Sequence, residues 1–244
     1  MTQIIAHRGA SRAERENTLQ AFHAAGRMGA QAVELDVRRT LDGVLIVHHN
    51  PTLDDGRVIA ACESTELPAH VPLLGPALDA CAGMWVNVEI KNDPGEADFD
   101  DVERIADETM GLLIARGEPE RWLISSFRME TIDRCHSIAN DRGVPIRTAW
   151  LTSDVSGVSG VSGSGDQHVA QLVAQRGHVA LHPWVSVVTR DLIERCHDAG
   201  LEVNTWTCDD PARMRELVEW GIDGICTNVP DVGLRVVADP DARS

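Results

Sequence analysis

Two stretches of this chain set carboxylates two residues apart among apolar neighbours. In Val33-Glu34-Leu35-Asp36-Val37 an extended backbone puts both acids on one face and the valines and leucine on the other, because strand side chains alternate. Val86-Asn87-Val88-Glu89-Ile90-Lys91 repeats the pattern, with Asn87, Glu89 and Lys91 sharing a face. Three carboxylates brought together repel one another unless a positive charge sits among them. A hard divalent cation meets that need, and an all-oxygen donor set suits Mg²⁺ or Ca²⁺ rather than zinc. Glu34 and Asp36 alone read equally well as surface or salt-bridged acids. Glu89, on what reads as the next barrel strand, makes the metal site the better reading.

Basic and imidazole groups complete a second constellation. His7-Arg8-Gly9 ends the first strand-like run, and His48-His49 ends another. A lone histidine at a strand end is more often structural, but two of them flanking a phosphate can protonate a leaving oxygen and deprotonate a nucleophile. Arg8 can grip a phosphate with two parallel hydrogen bonds. Lys91 is the chain's single lysine, against a background in which every other basic residue is arginine. Together with a metal ion, Arg8 and Lys91 would neutralise the charge of a phosphodiester.

The elements that must carry these residues alternate along the chain. Strand-like runs fall at Gln3–Ala6, Ala32–Val37, Trp85–Ile90, Trp122–Ser125, Ile146–Leu151, Val179–Leu181, Leu201–Trp206 and Ile222–Cys226. Helical patterns lie between them, including Thr18–Met28, Asp98–Arg116, Met129–Ala139, Thr189–Ala199 and Pro211–Trp220. Several stop at a glycine, as helix C-termini do. A ninth run, Val44–His48, follows the second strand after only a few residues. A parallel crossover needs a dozen or more, so this run must fold back as a hairpin through Leu41-Asp42-Gly43. The remaining eight βα units in 244 residues predict a (β/α)₈ TIM barrel, for which ~250 residues is typical. The chain is expected to form one barrel domain over residues 1–244, with a hairpin extension and a long loop, Pro51–Pro76, after strand 2. A Ser/Gly-rich tract, Val155–Gly165, reads as a flexible loop.

Composition narrows the partners. With 22 basic and 38 acidic residues the formal charge is −16, which repels nucleic acid and anionic membranes. A chain this acidic binds an anionic small molecule only through a local cationic site. No apolar run is long enough to span a bilayer. The six cysteines form no C-x-x-C pair and, with no secretory signal in view, are expected as free thiols in a cytoplasmic protein.

The stretches IIAHRGA, ENTLQAF, ELDVRRTLDGVLIVHHNPTLDDG and VNVEIKN, followed by ISSF, ALHPW, LEVNTWT and GIDGICTNVP, resemble the glycerophosphodiester phosphodiesterase family in order and spacing. The resemblance covers roughly residues 3–231. It implies a barrel hydrolase that cuts glycerophosphodiesters to glycerol phosphate and an alcohol, using a divalent metal and two histidines. By position, His7 and His49 become the acid–base pair, and Glu34, Asp36 and Glu89 the metal ligands. Arg8 and Lys91 would contact phosphate, and Trp206 would line the pocket for the alcohol. Glu16 would stand behind the site, and His182 either reaches it or only packs. The family's His-Asp pair aligns with His49-Asn50, so His49 rather than His48 is the matching histidine, and Asn50 replaces the usual acid. Arg15 stands where a proline is usual. The alternatives are a lysophospholipase D- or sphingomyelinase D-like barrel that releases a cyclic phosphate, a non-catalytic phosphodiester-binding barrel, and an unrelated metal-dependent barrel.

Overall fold

A computed structural model describes residues 1–155 and 165–239. Among the described residues nine strands form one sheet, and eight of them close it into a parallel barrel. The strands are β1 (Gln3–His7), β2 (Ala32–Arg39), β3 (Leu45–Val47), β4 (Trp85–Ile90), β5 (Trp122–Ser126), β6 (Arg147–Thr152), β7 (Ala180–Pro183), β8 (Glu202–Thr205) and β9 (Gly224–Thr227). The barrel closes where β1 pairs with both β2 and β9. Helices α1 (Leu19–Met28), α2 (Leu74–Ala80), α3 (Arg104–Arg116), α4 (Met129–Arg142), α5 (Gly165–Gln175), α6 (Arg190–Asp198), α7 (Pro211–Glu219) and α8 (Pro230–Ala238) alternate with the barrel strands.

The odd strand out is β3, which among the described strands is the one paired antiparallel. It runs back along β2, pairing Val37 with Val47, Arg38 with Ile46 and Arg39 with Leu45. Gly43, at φ +82°, turns the hairpin, and the Thr40 hydroxyl accepts from the Val44 N–H at 3.0 Å. The fold-back is therefore as the short connection requires. Its last hydrogen bond runs from the His48 N–H to the Asp36 carbonyl at 2.9 Å, which carries His49 to the barrel mouth.

Alternation decides which side chains reach the site. Val33, Leu35 and Val37 of β2 and Val86, Val88 and Ile90 of β4 pack outward with Phe22, Leu78 and Met110 in one buried core. Leu181, Val203 and Ile225 do the same with Leu192, Met214 and Leu217 on the other side of the barrel. The residues between them point inward, so the acids of β2 and β4 can only face the barrel's interior. β2 and β4 run side by side in a register that sets Asp36 beside Glu89 and Glu34 beside Asn87.

Two expectations need correction. The helix expected from Asp98 begins at Arg104. Asp100 draws its carboxylate onto the Val102 and Ile105 N–H groups at 3.3 and 3.0 Å, and Glu103 turns left-handed at φ +60°. Acidic side chains that bond nearby backbone compete with the helix in this way. The loop after strand 2 is not wholly irregular. It holds two short 3₁₀ turns, Ile59–Ala61 and Ser64–Glu66, and gives way to α2 at Leu74. Helices α2, α5 and α8 fill the remaining crossovers that eight βα units require. Most of the Ser/Gly-rich tract lies outside the described residues.

Candidate active site

A cavity of about 220 Å³ opens within the barrel, lined by His7, Arg8, Glu34, His49, Asn87, Glu89, Lys91, Phe127, His182 and Trp206 among others. The hairpin supplies His49, and strands β1, β2 and β4 or the residues just beyond them supply the other charged groups. At the end of β1 the chain turns sharply. Arg8 adopts φ +57° and Gly9 φ +82°. A Cβ at Gly9 would lie 2.6 Å from the Ala21 carbonyl carbon, so only glycine lets the turn sit against α1. The turn aims the Arg8 N–H at Glu34 Oε2, 2.9 Å away.

The three carboxylates meet as the alternation requires. Glu34, Asp36 and Glu89 each offer an oxygen, all within 4.8 Å of one another. Asp36 is fully buried behind the cavity wall, where Asn17 Nδ2 donates to its Oδ2 at 2.7 Å and Arg8 Nε lies 3.2 Å from the same atom. Among the described residues, Glu34 Oε1, Asp36 Oδ1 and Asn87 Oδ1 are buried without a hydrogen-bond partner. Burial, then the charges of Asp36 and Glu89, push the Glu34 carboxyl well above its usual pKa range. Burial also raises Glu89, against the pull of Lys91. Burial alone would raise Asp36 too, but Lys91, Arg8 and His49 outweigh it and hold that carboxyl down at about 2. Unpartnered oxygens, crowded like charges and an all-oxygen donor set fit a hard divalent cation.

Cationic groups surround the acids. Lys91 Nζ lies 2.8 Å from Glu89 Oε1 and 3.7 Å from Asp36 Oδ1, with the Phe127 ring centroid 5.6 Å away. Arg8 is shared between Asp36 and Glu16, whose Oε1 accepts from NH1 at 3.0 Å, so Glu16 stands behind the site.

The two histidines of interest line the same cavity. His7 Nδ1 sits 2.7 Å from Asn228 Oδ1. His49 Nδ1 sits 2.9 Å from Asn50 Oδ1, so the residue beside the family's histidine does contact its ring. Burial and then Arg8 lower the pKa of His7. Burial lowers that of His49 as well, with Lys91 and Arg8 opposing Asp36. His48 does not line this cavity. Its Nδ1 faces the Asn50 carbonyl at 2.9 Å, beside a smaller recess with Arg15 and His70. His182 reaches the cavity, but burial holds its pKa near 3, and its Nε2 lies 3.1 Å from Asn204 Nδ2. It is a neutral floor residue. Trp206 lines the wall, edge-on to Phe127 at 5.3 Å, with its Nε1–H donating to the His182 carbonyl at 2.9 Å.

Arg38 and Asn17 are among the groups that escaped the sequence reading. Arg38 is fully buried and clamps the His49 carbonyl through both Nε, at 2.8 Å, and NH2. Its other side pairs with Asp98 and Glu96 at 2.7 and 2.9 Å, tying the His49 hairpin to the loop before α3. Asn17, in the left-handed region at φ +56°, holds Asp36. Its place in the ENT motif was the available signal; Arg38 had none beyond being a basic residue on a strand.

The model of the glycerophosphoryl diester phosphodiesterase family matches residues 7–232. The chain belongs to that family. As such it is an enzyme of the phosphoric diester hydrolase class. A glycerophosphodiester phosphodiesterase of Caldanaerobacter subterraneus is 26% identical over 256 residues, spanning 97% of this chain and 98% of that one. A solved glycerophosphodiester phosphodiesterase from Agrobacterium tumefaciens is 26% identical with a TM-score of 0.75, covering 96% of this chain and 99% of that one. An Oleispira antarctica phosphodiesterase, solved in complex with the product sn-glycerol-3-phosphate, shares the fold at a TM-score of 0.82 and 22% identity, covering 98% of this chain and 97% of that one.

Proposed function

We propose that this protein hydrolyses glycerophosphodiesters to glycerol phosphate and an alcohol, with residues 1–244 acting as one barrel domain. The observation that carries this reading is the convergence of His7, His49, Arg8, Lys91 and the carboxylate cluster on one cavity of about 220 Å³. Glu34, Asp36 and Glu89 hold a divalent cation, Mg²⁺ or Ca²⁺. When bound, such a cation supplies charge neutralisation at the phosphoryl oxygens. Arg8 and Lys91 bind the phosphate, and their cationic groups stay close to the charge that grows on it during reaction. One of His7 and His49 removes a proton from the nucleophile, and the other protonates the departing alkoxide. Trp206, edge-on to Phe127, presents an apolar wall to the alcohol group.

The partners are small-molecule phosphodiesters, not nucleic acid, since the chain's surplus of acid repels a polyanion. No helix among the described residues is long and apolar enough to cross a membrane. The six cysteines are buried and none is in a disulfide, which suits the reducing environment of the cytoplasm.

A panel of glycerophosphodiesters assayed with Mg²⁺ and with Ca²⁺ tests this reading. Turnover is expected on at least one of them, to be lost on chelation and restored by adding either ion. Full activity in protein shown to be metal-free would refute the cation site, and a silent panel would refute the substrate class.

A further inference from the structure

Among the described residues the ring of His7 meets the side chain of Asn228 at hydrogen-bond distance, and the orientation of that partner is not free. Asn228 follows β9, and beside it lies Asp209 from the loop after β8. The Asp209 carboxylate accepts three hydrogen bonds: from Thr227 Oγ1 at 2.9 Å, from the Asn228 backbone N–H at 2.8 Å and from Asn228 Nδ2 at 2.7 Å. A carboxylate only accepts, so the end of the Asn228 amide that faces it must be the NH₂ group. Reversing the amide would press two oxygens together at that distance. The Asn228 oxygen is thereby turned to His7 Nδ1, 2.7 Å away, and it also accepts from the Ser11 hydroxyl at 2.9 Å. An amide oxygen cannot donate, so the hydrogen between it and His7 belongs to Nδ1.

We infer that Asp209 and Asn228 are positioning residues that hold His7 in its Nδ1–H tautomer, leaving Nε2 as the nitrogen that exchanges a proton with the substrate. A neutral imidazole carries one ring hydrogen, and burial favours the neutral ring here. Nε2 then bears the lone pair in the cavity that His7 lines. When His7 acts as base, an O–H bond breaks and an Nε2–H bond forms. When it acts as acid, the reverse transfer occurs. In both, Nδ1–H stays on the Asn228 oxygen. The chain has the logic of a nucleophile–His–carboxylate relay, in which a third group fixes tautomer and ring orientation. The group in contact with the ring is a neutral amide, and the carboxylate stands one residue further back. The ring is therefore oriented without having a full negative charge against it.

The inference rests on His7 being one of the two acid–base histidines, and the test keeps the two ideas apart. Protein labelled with ¹⁵N at the histidine rings reports the tautomer directly, with His7→Ala identifying the resonances. In the parent at a pH where His7 is neutral, Nδ1 is expected to be the protonated nitrogen. Asn228→Ala should release the ring toward the Nε2–H form and lower kcat about 10–100-fold, the usual cost of losing an orienting partner, with KM little changed. The double exchange Asp209→Asn with Asn228→Asp rebuilds an acceptor against His7 and a donor behind it. It should restore the Nδ1–H tautomer and most of kcat, which a merely structural role for Asn228 does not predict. An active parent whose His7 is Nε2–H overturns this inference alone, whereas a parent with no diesterase turnover overturns the acid–base reading beneath it. An Asn228→Ala protein with parental kcat also overturns it, as does a double exchange that recovers neither tautomer nor rate. Should Asn228→Ala fail to fold, the parent spectrum and the double exchange decide.

Discussion

Changing Asn50 to Asp should move the pH–rate profile upward by about one unit or more. Asn50 Oδ1 is 2.9 Å from His49 Nδ1, so the substitution places a carboxylate oxygen against the ring with almost no change of shape. Two unit charges at this distance interact by about 1.4 kcal/mol even with the dielectric of bulk water, which corresponds to about one pKa unit. His49 is partly exposed, so that value is the lower bound, and any local drop in dielectric enlarges it. The sign follows from the present state of the ring. Burial, with Lys91 and Arg8, keeps the pKa of His49 below its ordinary value in the parent. A new negative charge favours the imidazolium and raises it. If the reaction needs His49 neutral, the acid limb moves to higher pH; if it needs the ring protonated, the alkaline limb does. The assay is kcat/KM against pH on a glycerophosphodiester at saturating metal, since that profile reports the free enzyme. A profile in which neither limb moves, or one moves down, would show that residue 50 is not coupled to the catalytic ring.

Further perturbations test other parts of the site. His7→Ala and His49→Ala should each cost roughly 10²–10⁴-fold in kcat, while His48→Ala, whose ring lies beside a different recess, should cost far less; steady-state kinetics that rank His48 above His49 would overturn the assignment. Lys91→Arg keeps the charge but should lose most of kcat, because a broad guanidinium cannot replace an ammonium 2.8 Å from Glu89 in so small a cavity; parental turnover in folded, metal-loaded Lys91→Arg would leave the ammonium without a special role. Arg38→Met leaves Asp98 and Glu96 without their buried partner and should lower unfolding free energy by about 3–5 kcal/mol, measured by denaturant titration. The same variant should lose turnover, since the His49 carbonyl is then unclamped, and unchanged stability with unchanged kcat would show that the Arg38 clamp is dispensable.

The barrel was legible because each parallel strand is short, apolar on its outer face and followed by a helix, and because the one strand that broke the rule was too close to its predecessor to cross over. What escaped detection had local reasons. Helix α8 carries Gly233, which weakens the helical signal. A Cβ there would lie 2.9 Å from Ile4 Cδ1, so the glycine serves the packing of α8 on β1 rather than the helix itself. The start of α3 was misplaced because Asp100 bonds backbone instead of solvent. In the site, Glu34, Asp36 and Glu89 could be found by alternation alone, since a strand's period is a property of a few consecutive residues. Arg38, Asn17, Asn228 and Asp209 could not. Each acts on a group brought near by the closed barrel, as when β9 beside β1 sets Asn228 against His7 across 221 residues of sequence.

Under the function proposed above, the charge of the site accounts for how so acidic a chain would bind an anion. At the cavity three carboxylates face two cationic side chains, Arg8 and Lys91, and both cations are already engaged with acids. Within the cluster, burial and the charges of Asp36 and Glu89 push the Glu34 carboxyl toward its protonated form. A protonated Glu34 leaves the site near neutrality, with little attraction for a phosphodiester. A divalent cation held by Glu34, Asp36 and Glu89 would compete with that proton and would turn the local balance positive. Arg8 and Lys91 would then be freed in part from the acids they screen and could turn to the phosphate. Under that reading, the carboxylates that make the chain look hostile to phosphate would be the means by which the cavity becomes attractive to it. The two cations would gain their full value only once the acids are occupied.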